Sequence, residues 1–238
     1  MKIENAIILA AGRGSRMKNL TNTKPKCMLK INNKTIIQRT IDALKYNNIN
    51  NIVVITGYKS SILQKHLATI DKNIKTIYNP LWETTNSITS MLLALDYLPN
   101  SIVIDSDIYV NDLDMIRNDV QYSGYSAVID SNTNEWQLET DDSRFIKSVY
   151  TSGSYDNALP IIDISYWLKD DSKIISDKIK TMSKSGKEED SNRFWDEVPL
   201  FECLSQLKLR RYDIEKFDAF EMDTPEELAR VRKLCSAD

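Results

Sequence analysis

The chain has 238 residues, 42% of them apolar, with a formal charge of -3 and a sequence pI near 5.4. That length supports one α/β core without a second domain, and interspersed charges with no basic stripe leave nucleic acid and anionic membranes without electrostatic support. Cys27, Cys203 and Cys235 are odd in number and lack metal-ligand spacing, and neither a signal peptide nor a membrane-length apolar run is present, so a reducing cytoplasm and small-molecule partners are expected.

The first predicted strand, Ala6-Leu9, runs into Gly12-Arg13-Gly14-Ser15-Arg16-Met17, with Lys24-Pro25-Lys26 just beyond. Two glycines let the backbone pass close to phosphate oxygens, Arg16 offers a planar fork and Lys26 a mobile point charge, so the segment reads as a phosphate-binding loop for a nucleoside triphosphate. Met17 stands where a dinucleotide fingerprint needs its third glycine, and no Gly-Lys-Ser/Thr follows a four-residue spacer, which argues against NAD and against a P-loop ATPase. Cys27 is either a packed small residue or, beside Lys26, a reactive thiol.

Strands are then predicted at Ile52-Thr56, Lys75-Tyr78 and Ser101-Ile104, with helices near Thr35-Tyr46, Ser60-Ala68 and Ser87-Leu98 between them. This alternation predicts an α/β fold built on an open, doubly wound, mostly parallel sheet. Ile88, Met91, Leu92 and Leu95 recur at helical spacing, which assigns Met91 to the core. His66, the one histidine, is read as an exposed, non-catalytic residue on a surface helix, and Trp82 and Trp167 are assigned to packing.

Transfer chemistry at a triphosphate calls for a divalent metal, and Mg2+ takes carboxylate and phosphate oxygens. The strand Ser101-Ile102-Val103-Ile104 ends in Asp105-Ser106-Asp107, and ligands of open parallel sheets bind at the carboxyl ends of strands. Asp107 is the favoured metal ligand. If the chain turns there, one of the two carboxylates caps the next segment instead.

Beyond Asp107 the alternation loosens into antiparallel strands around Ser126-Asp130, Glu135-Glu139 and Phe145-Tyr150, a turn-rich stretch at Ser152-Asn157 and a charged, solvated loop at Lys184-Asp190. A second acidic pair, Glu221 and Asp223, precedes Thr224-Pro225-Glu226-Glu227, the start of a capped helix whose Leu228, Val231 and Leu234 face the core. Asp223 either serves that helix N-terminus or joins the metal site.

Leu9-Ala10-Ala11-Gly12-x-Gly14-x-Arg16-Met17 followed by Pro25-Lys26 resembles the signature of nucleotidyltransferases that make nucleoside-diphosphate sugars and alcohols. Asn86-Ser87-Ile88-Thr89-Ser90, Asp105-Ser106-Asp107, Asn134-Glu135-Trp136 and Phe194-Trp195-Asp196 are similar to segments of the bacterial choline-phosphate cytidylyltransferases within that family. The resemblance implies a Rossmann-like, mixed sheet with a small acceptor-side subregion, a single domain over 1–238 whose nucleotide-binding half is about 1–110 and whose acceptor and metal half is about 111–238. It implies nucleotide contacts from Leu9, Ala10, Ala11, Gly12, Gly14, Ser15, Arg16, Lys26, Asn86, Ser90 and Asp105, and Mg2+ held by Asp107 and Asp223 with Glu221 nearby.

Lys26, Arg16 and Asp107 are the expected catalytic residues of a transfer of CMP from CTP to phosphocholine, with loss of pyrophosphate and no covalent enzyme intermediate. Trp136, Phe194 and Trp195 are candidates for a ring cage around a quaternary ammonium, balanced by Asp196 or Glu197, against the plain reading of packed aromatics. Asp163 stands where a glycine is common in the subgroup: if its carboxylate reaches the pocket, 2-aminoethylphosphonate or phosphoethanolamine becomes the acceptor, and otherwise it is a turn residue. A sugar-1-phosphate nucleotidyltransferase, a glycosyltransferase and a non-catalytic nucleotide-binding module are the alternatives. The sequence leaves a homodimer open.

Overall fold

The computed structural model describes residues 1–129, 135–153, 155 and 157–235. Its elements in chain order are β1 (Asn5–Ala10), β2 (Lys30–Ile31), β3 (Lys34–Thr35), α1 (Ile36–Tyr46), β4 (Asn51–Thr56), α2 (Ser60–Ile70), β5 (Lys75–Tyr78), α3 (Ser87–Ala94), β6 (Ser101–Asp105), β7 (Ile108–Val110), β8 (Gly124–Val128), β9 (Gln137–Thr140), β10 (Ile146–Tyr150), β11 (Ala158–Trp167), α4 (Lys169–Ser185), α5 (Glu188–Ser191), β12 (Arg210–Ile214), β13 (Ala219–Glu221) and α6 (Pro225–Leu234).

The central sheet has the order β10-β9-β11-β6-β1-β4-β5, with β8 pairing β11 and β12. β6, β1, β4 and β5 run parallel, β11 joins β6 antiparallel, and β12 lies parallel to β8. The sheet is thus mixed and doubly wound. Strand alternation divides its two faces: Ala6, Ile8 and Ala10 of β1 pack with Ile37, Ile41 and Leu44 of α1 and Leu63 and Leu67 of α2. Ile7 and Leu9 face the other way, into Ile88, Met91 and Ala94 of α3 and Ile175, Ile179 and Met182 of α4. Burial on both sides is why these parallel strands read as nearly unbroken apolar runs.

A third cluster sits beyond the carboxyl end of β1, where Met17, Ile36, Tyr109, Met222, Leu228 and Val231 pack together. It ties the loop after β1 to the β7–β13 ribbon and to α6. The helix start at Thr224 forms a complete capping box, but Leu234 lies 43% exposed: the apolar stripe ends at Val231, and Cys235 packs there instead.

The loosely patterned half is more ordered than the sequence suggests. The charged stretch Lys184-Asp190 is the end of α4, stopped by Gly186 at φ 67, and the start of α5. Ile175, Ile179 and Met182 carried the helical spacing of α4, diluted by its many charged neighbours. The strand expected at Ser126-Asp130 is Gly124–Val128, and Asp130, like Asn134, Ser154, Asp156 and 236–238, lies outside the described residues. His66 is half-buried rather than exposed, with Nε2 2.9 Å from Oγ1 of Thr35, the residue that caps α1. Among the described residues no helix is long and apolar enough to cross a membrane.

Candidate active site

The chain leaves β1 on one side for β4 and β5 and returns on the other as β6, so the crevice beyond β1 and β6 is the switch point where open α/β sheets bind ligands. A cavity of about 300 Å³ opens there, lined by Leu9 through Gly12, by Gly14, Ser15, Arg16 and Lys26, and by Asp105 and Asp107. The walls are fastened by the backbone: Ser106 N–H donates to Leu9 O at 3.1 Å and Tyr58 N–H to Ala11 O at 2.9 Å. Gly14 adopts φ +65, and a Cβ there would stand 3.0 Å from Cβ of Lys26. The glycine is therefore needed for the passage of the lysine stem as well as for its own backbone. At Gly12 a Cβ would meet no atom within 4 Å, so its side is open to a ligand.

The facing wall comes from the turn after β5 and the start of α3. Asn79, 2% exposed, donates to Oγ1 of Thr89 at 3.1 Å and to Oγ of Ser90 at 3.0 Å, while Asn86 caps α3 through Ser87 N–H at 2.8 Å. Asn86 and Ser90 both line the cavity. So does Trp82, which stacks obliquely on Tyr58 with ring centroids 5.5 Å apart. Its assignment to packing alone is corrected: one side packs and one side faces the cleft. Gly57 makes this possible, since a Cβ at that position would lie 2.5 Å from both Ala11 O and Trp82 Cβ. A glycine directly after a buried parallel strand was the sequence signal for that close approach.

Asp107 lies in the turn between β6 and β7, and β13 pairs antiparallel with β7 so that Glu221 sits opposite Ile108. Carboxylate oxygens of Asp107, Glu221 and Asp223 consequently fall within 4.8 Å of one another. Nζ of Lys26 sits 2.6 Å from Asp107 and 2.7 Å from Asp223, and Arg16 reaches Asp223 at 2.5 Å. Burial works against the Lys26 ammonium, but the two carboxylates outweigh it and its pKa rises to about 12. Asp223 does not cap α6: Thr224 does, and Asp223 N–H donates to Glu227 at 2.8 Å, leaving its carboxylate to the cations.

One oxygen of Asp107, Oδ1, is buried without a hydrogen-bond partner among the described residues, and such an acceptor is costly unless something binds it. Burial first, then the charges of Asp163 and Asp107, push the Glu221 carboxyl up to about 10. Asp105 is likewise raised well above the ordinary carboxylate range by burial and by Asp107. An all-oxygen donor set, an orphaned acceptor and crowded carboxylates fit a hard divalent cation. Cys27 is packed and unreactive, its thiol pushed up to about 12 by burial and by Asp107.

A second cavity, of about 250 Å³, adjoins the first and is lined by Trp136, Phe194, Asp163 and Asp196 together with Arg16, Asp105, Asp107 and Asp223. Trp136 meets Phe194 edge-on at 6.2 Å and Phe201 at 5.2 Å. Trp195 is not part of this group: it is 2% exposed and packs on Trp167 at 5.7 Å, and its backbone N–H donates to Ser87 Oγ at the start of α3 at 2.9 Å. Phe201, delivered by the π-helical turn Val198–Glu202, supports the Trp136 ring instead without lining the cavity, and no spacing in the sequence announced it. Asp196 accepts from the Tyr125 hydroxyl at 2.8 Å, and burial raises its carboxyl to about 7. Asp163 is a strand residue facing the cavity, not a turn residue.

Residues 6–137 match the family described as the MobA-like NTP transferase domain. The chain is 33% identical over 221 residues to the choline-phosphate cytidylyltransferase of Haemophilus influenzae, covering 92% of each chain. It is 28% identical to the 2-aminoethylphosphonate cytidylyltransferase of Lancefieldella rimae, over 94% of this chain and 90% of that one. Its fold is similar to that of the CTP:phosphocholine cytidylyltransferase from Streptococcus pneumoniae, with TM-score 0.89 and 27% identity, covering 99% of this chain and 100% of that one.

Proposed function

We propose that this chain, which belongs to the MobA-like NTP transferase family and is a nucleotidyltransferase, transfers CMP from CTP to a phosphorylated amino alcohol or an aminoalkylphosphonate. The observation that carries the reading is the wall the two cavities share: Arg16, Asp105, Asp107, Phe194 and Asp223 line both. A nucleotide on the glycine loop and an acceptor against the rings meet at that wall, the place for an in-line attack on the α-phosphorus.

Lys26, in the first cavity beside that wall and with its side chain 10% exposed, is the group to stabilise charge developing around the α-phosphate, where preorganised electrostatics dominate phosphoryl-type transfer. Arg16, 72% exposed at the cavity mouth, is placed to hold the departing pyrophosphate. The expected cofactor is Mg2+, held by Asp107, Asp223 and Glu221; when bound it supplies the Lewis acidity that neutralises the triphosphate. The similarity to cytidylyltransferases along nearly the whole chain supports the choice of CTP.

The Trp136 and Phe194 rings suit a quaternary ammonium, whereas Asp163 and Asp196 suit a primary one, so phosphocholine is one reading of the acceptor and phosphoethanolamine or 2-aminoethylphosphonate the other. A sugar 1-phosphate, bearing hydroxyls and no cation, suits neither feature. The test is pyrophosphate release with Mg2+ and CTP in the presence of phosphocholine, phosphoethanolamine, 2-aminoethylphosphonate or glucose 1-phosphate. Release with any of the first three supports the proposal, and release with glucose 1-phosphate alone overturns it.

A further inference from the structure

Asp163 occupies the middle of β11, between Ile162 and Ile164, which both enter the core beneath α1 and α2. Strand alternation turns it to the opposite face, with Ile161, and both line the acceptor cavity. β11 pairs antiparallel with β6, Ile164 facing Ile104, so the next step of that register sets Asp163 against Asp105. Two carboxylates directly opposed on neighbouring strands repel. Packing alone gives no reason for such a pair.

Among the described residues no side chain pairs with Asp163 to relieve it. Asp163 makes no hydrogen bond or ion pair among the described residues. Arg16 is the one cation on the described lining of this cavity, and it is engaged by Asp223, as Lys26 is by Asp107 and Asp223. Asp196, across the cavity, accepts from Tyr125 and adds further negative charge. A carboxylate so placed is costly until a cation arrives, and the cation must come with the ligand.

Resting on the cytidylyltransferase reading above, we propose that Asp163 is a specificity-determining residue, binding the N–H groups of the acceptor's ammonium and selecting primary over quaternary heads. A primary ammonium offers three donors, which Asp163, Asp105 and Asp196 can divide in charge-assisted hydrogen bonds. A trimethylammonium offers none and gains only from the rings. Removing Asp163 therefore costs the two kinds of acceptor unequally.

The experiment is steady-state pyrophosphate release with CTP and Mg2+ along the series phosphoethanolamine and its N-methyl, N,N-dimethyl and N,N,N-trimethyl derivatives. In the wild-type enzyme kcat/KM falls as N–H donors are lost. In Asp163→Asn and Asp163→Ala it drops about tenfold or more for phosphoethanolamine, as expected for hydrogen bonds to a charged group, and changes little for the trimethyl compound. A wild-type series that is flat or rises with methylation, or variants that lose all four acceptors equally while retaining CTP binding, overturns the role of Asp163 and leaves the cytidylyltransferase reading standing. The wild-type series decides the matter even if the variants fold poorly. Silence with every member, and with 2-aminoethylphosphonate offered beside them, overturns the cytidylyltransferase reading itself and this inference with it.

Discussion

Nζ of Lys26 lies 2.6 Å from Oδ2 of Asp107, joining the loop after β1 to the turn after β6 across the switch point of the sheet. The same ammonium reaches Asp223 beside α6, so three distant segments converge on one charge. Lys26→Ala is expected to lower turnover about a hundredfold or more at saturating CTP, and Asp107→Asn, Glu221→Gln and Asp223→Asn each to raise the Mg2+ concentration for half-maximal rate about tenfold or more. Metal titrations of pyrophosphate release check both; an unchanged titration removes that carboxylate from the metal site.

The two loop glycines should separate. Gly14→Ala forces an alanine into φ +65 against the Lys26 stem, so a stability loss of about 1 kcal/mol or more should accompany a fall in turnover. Gly12→Ala meets no protein atom within 4 Å, and its unfolding midpoint should stay at the wild-type value while KM for CTP rises. Urea unfolding and CTP saturation curves read the two effects; a destabilised Gly12→Ala would refute the assignment of that space to ligand.

Adjacent aromatics should also divide by role. Trp195→Ala removes a ring 2% exposed in the core and should cost about 3–5 kcal/mol of stability. Trp136→Ala, at the cavity wall beside Phe194 and Phe201, should leave stability nearly unchanged and raise KM for phosphocholine about tenfold. Equal effects on stability would contradict the packing described for Trp195.

The pH dependence of stability has a defined sign at Asp196. Burial raises its carboxyl from 3.8 to about 7, so between those values the folded state binds more protons than the unfolded one, and stability declines as pH rises through that interval. Below it both states are protonated, and above it the loss is complete. Asp196→Asn should therefore flatten the decline in unfolding midpoint between pH 5 and pH 8, measured without ligands. A slope equal to that of wild type would assign the titration elsewhere.

Local chemistry made much of the molecule legible. β1, β4 and β6 announce themselves because their middles, Ala6 to Ala10, Ile52 to Ile55 and Ile102 to Ile104, are apolar and buried on both faces; α6 does so because Thr224, Pro225 and Glu227 form its cap within one turn. The glycine loop and Lys26 were readable because phosphate binding demands particular residue types at short spacing. α4 escaped because its three core residues stand among many charges, and β11 because its apolar run is interrupted by Asp163.

What the sequence by itself determined, then, was the parallel half of the sheet, the phosphate loop and the family. Only the tertiary structure decided which side chains share a cavity. The β7–β13 ribbon brings Glu221 and Asp223 to Asp107, Trp195 packs on Trp167 in the core while Phe201 rests against Trp136, and the antiparallel register of β11 with β6, continued one step, carries Asp163 to Asp105. The physical reason is range: propensity, capping and periodicity act within a few residues along the chain, whereas repulsion between carboxylates, the burial of a ring and the meeting of cation with anion depend on distances that long-range strand pairing alone fixes.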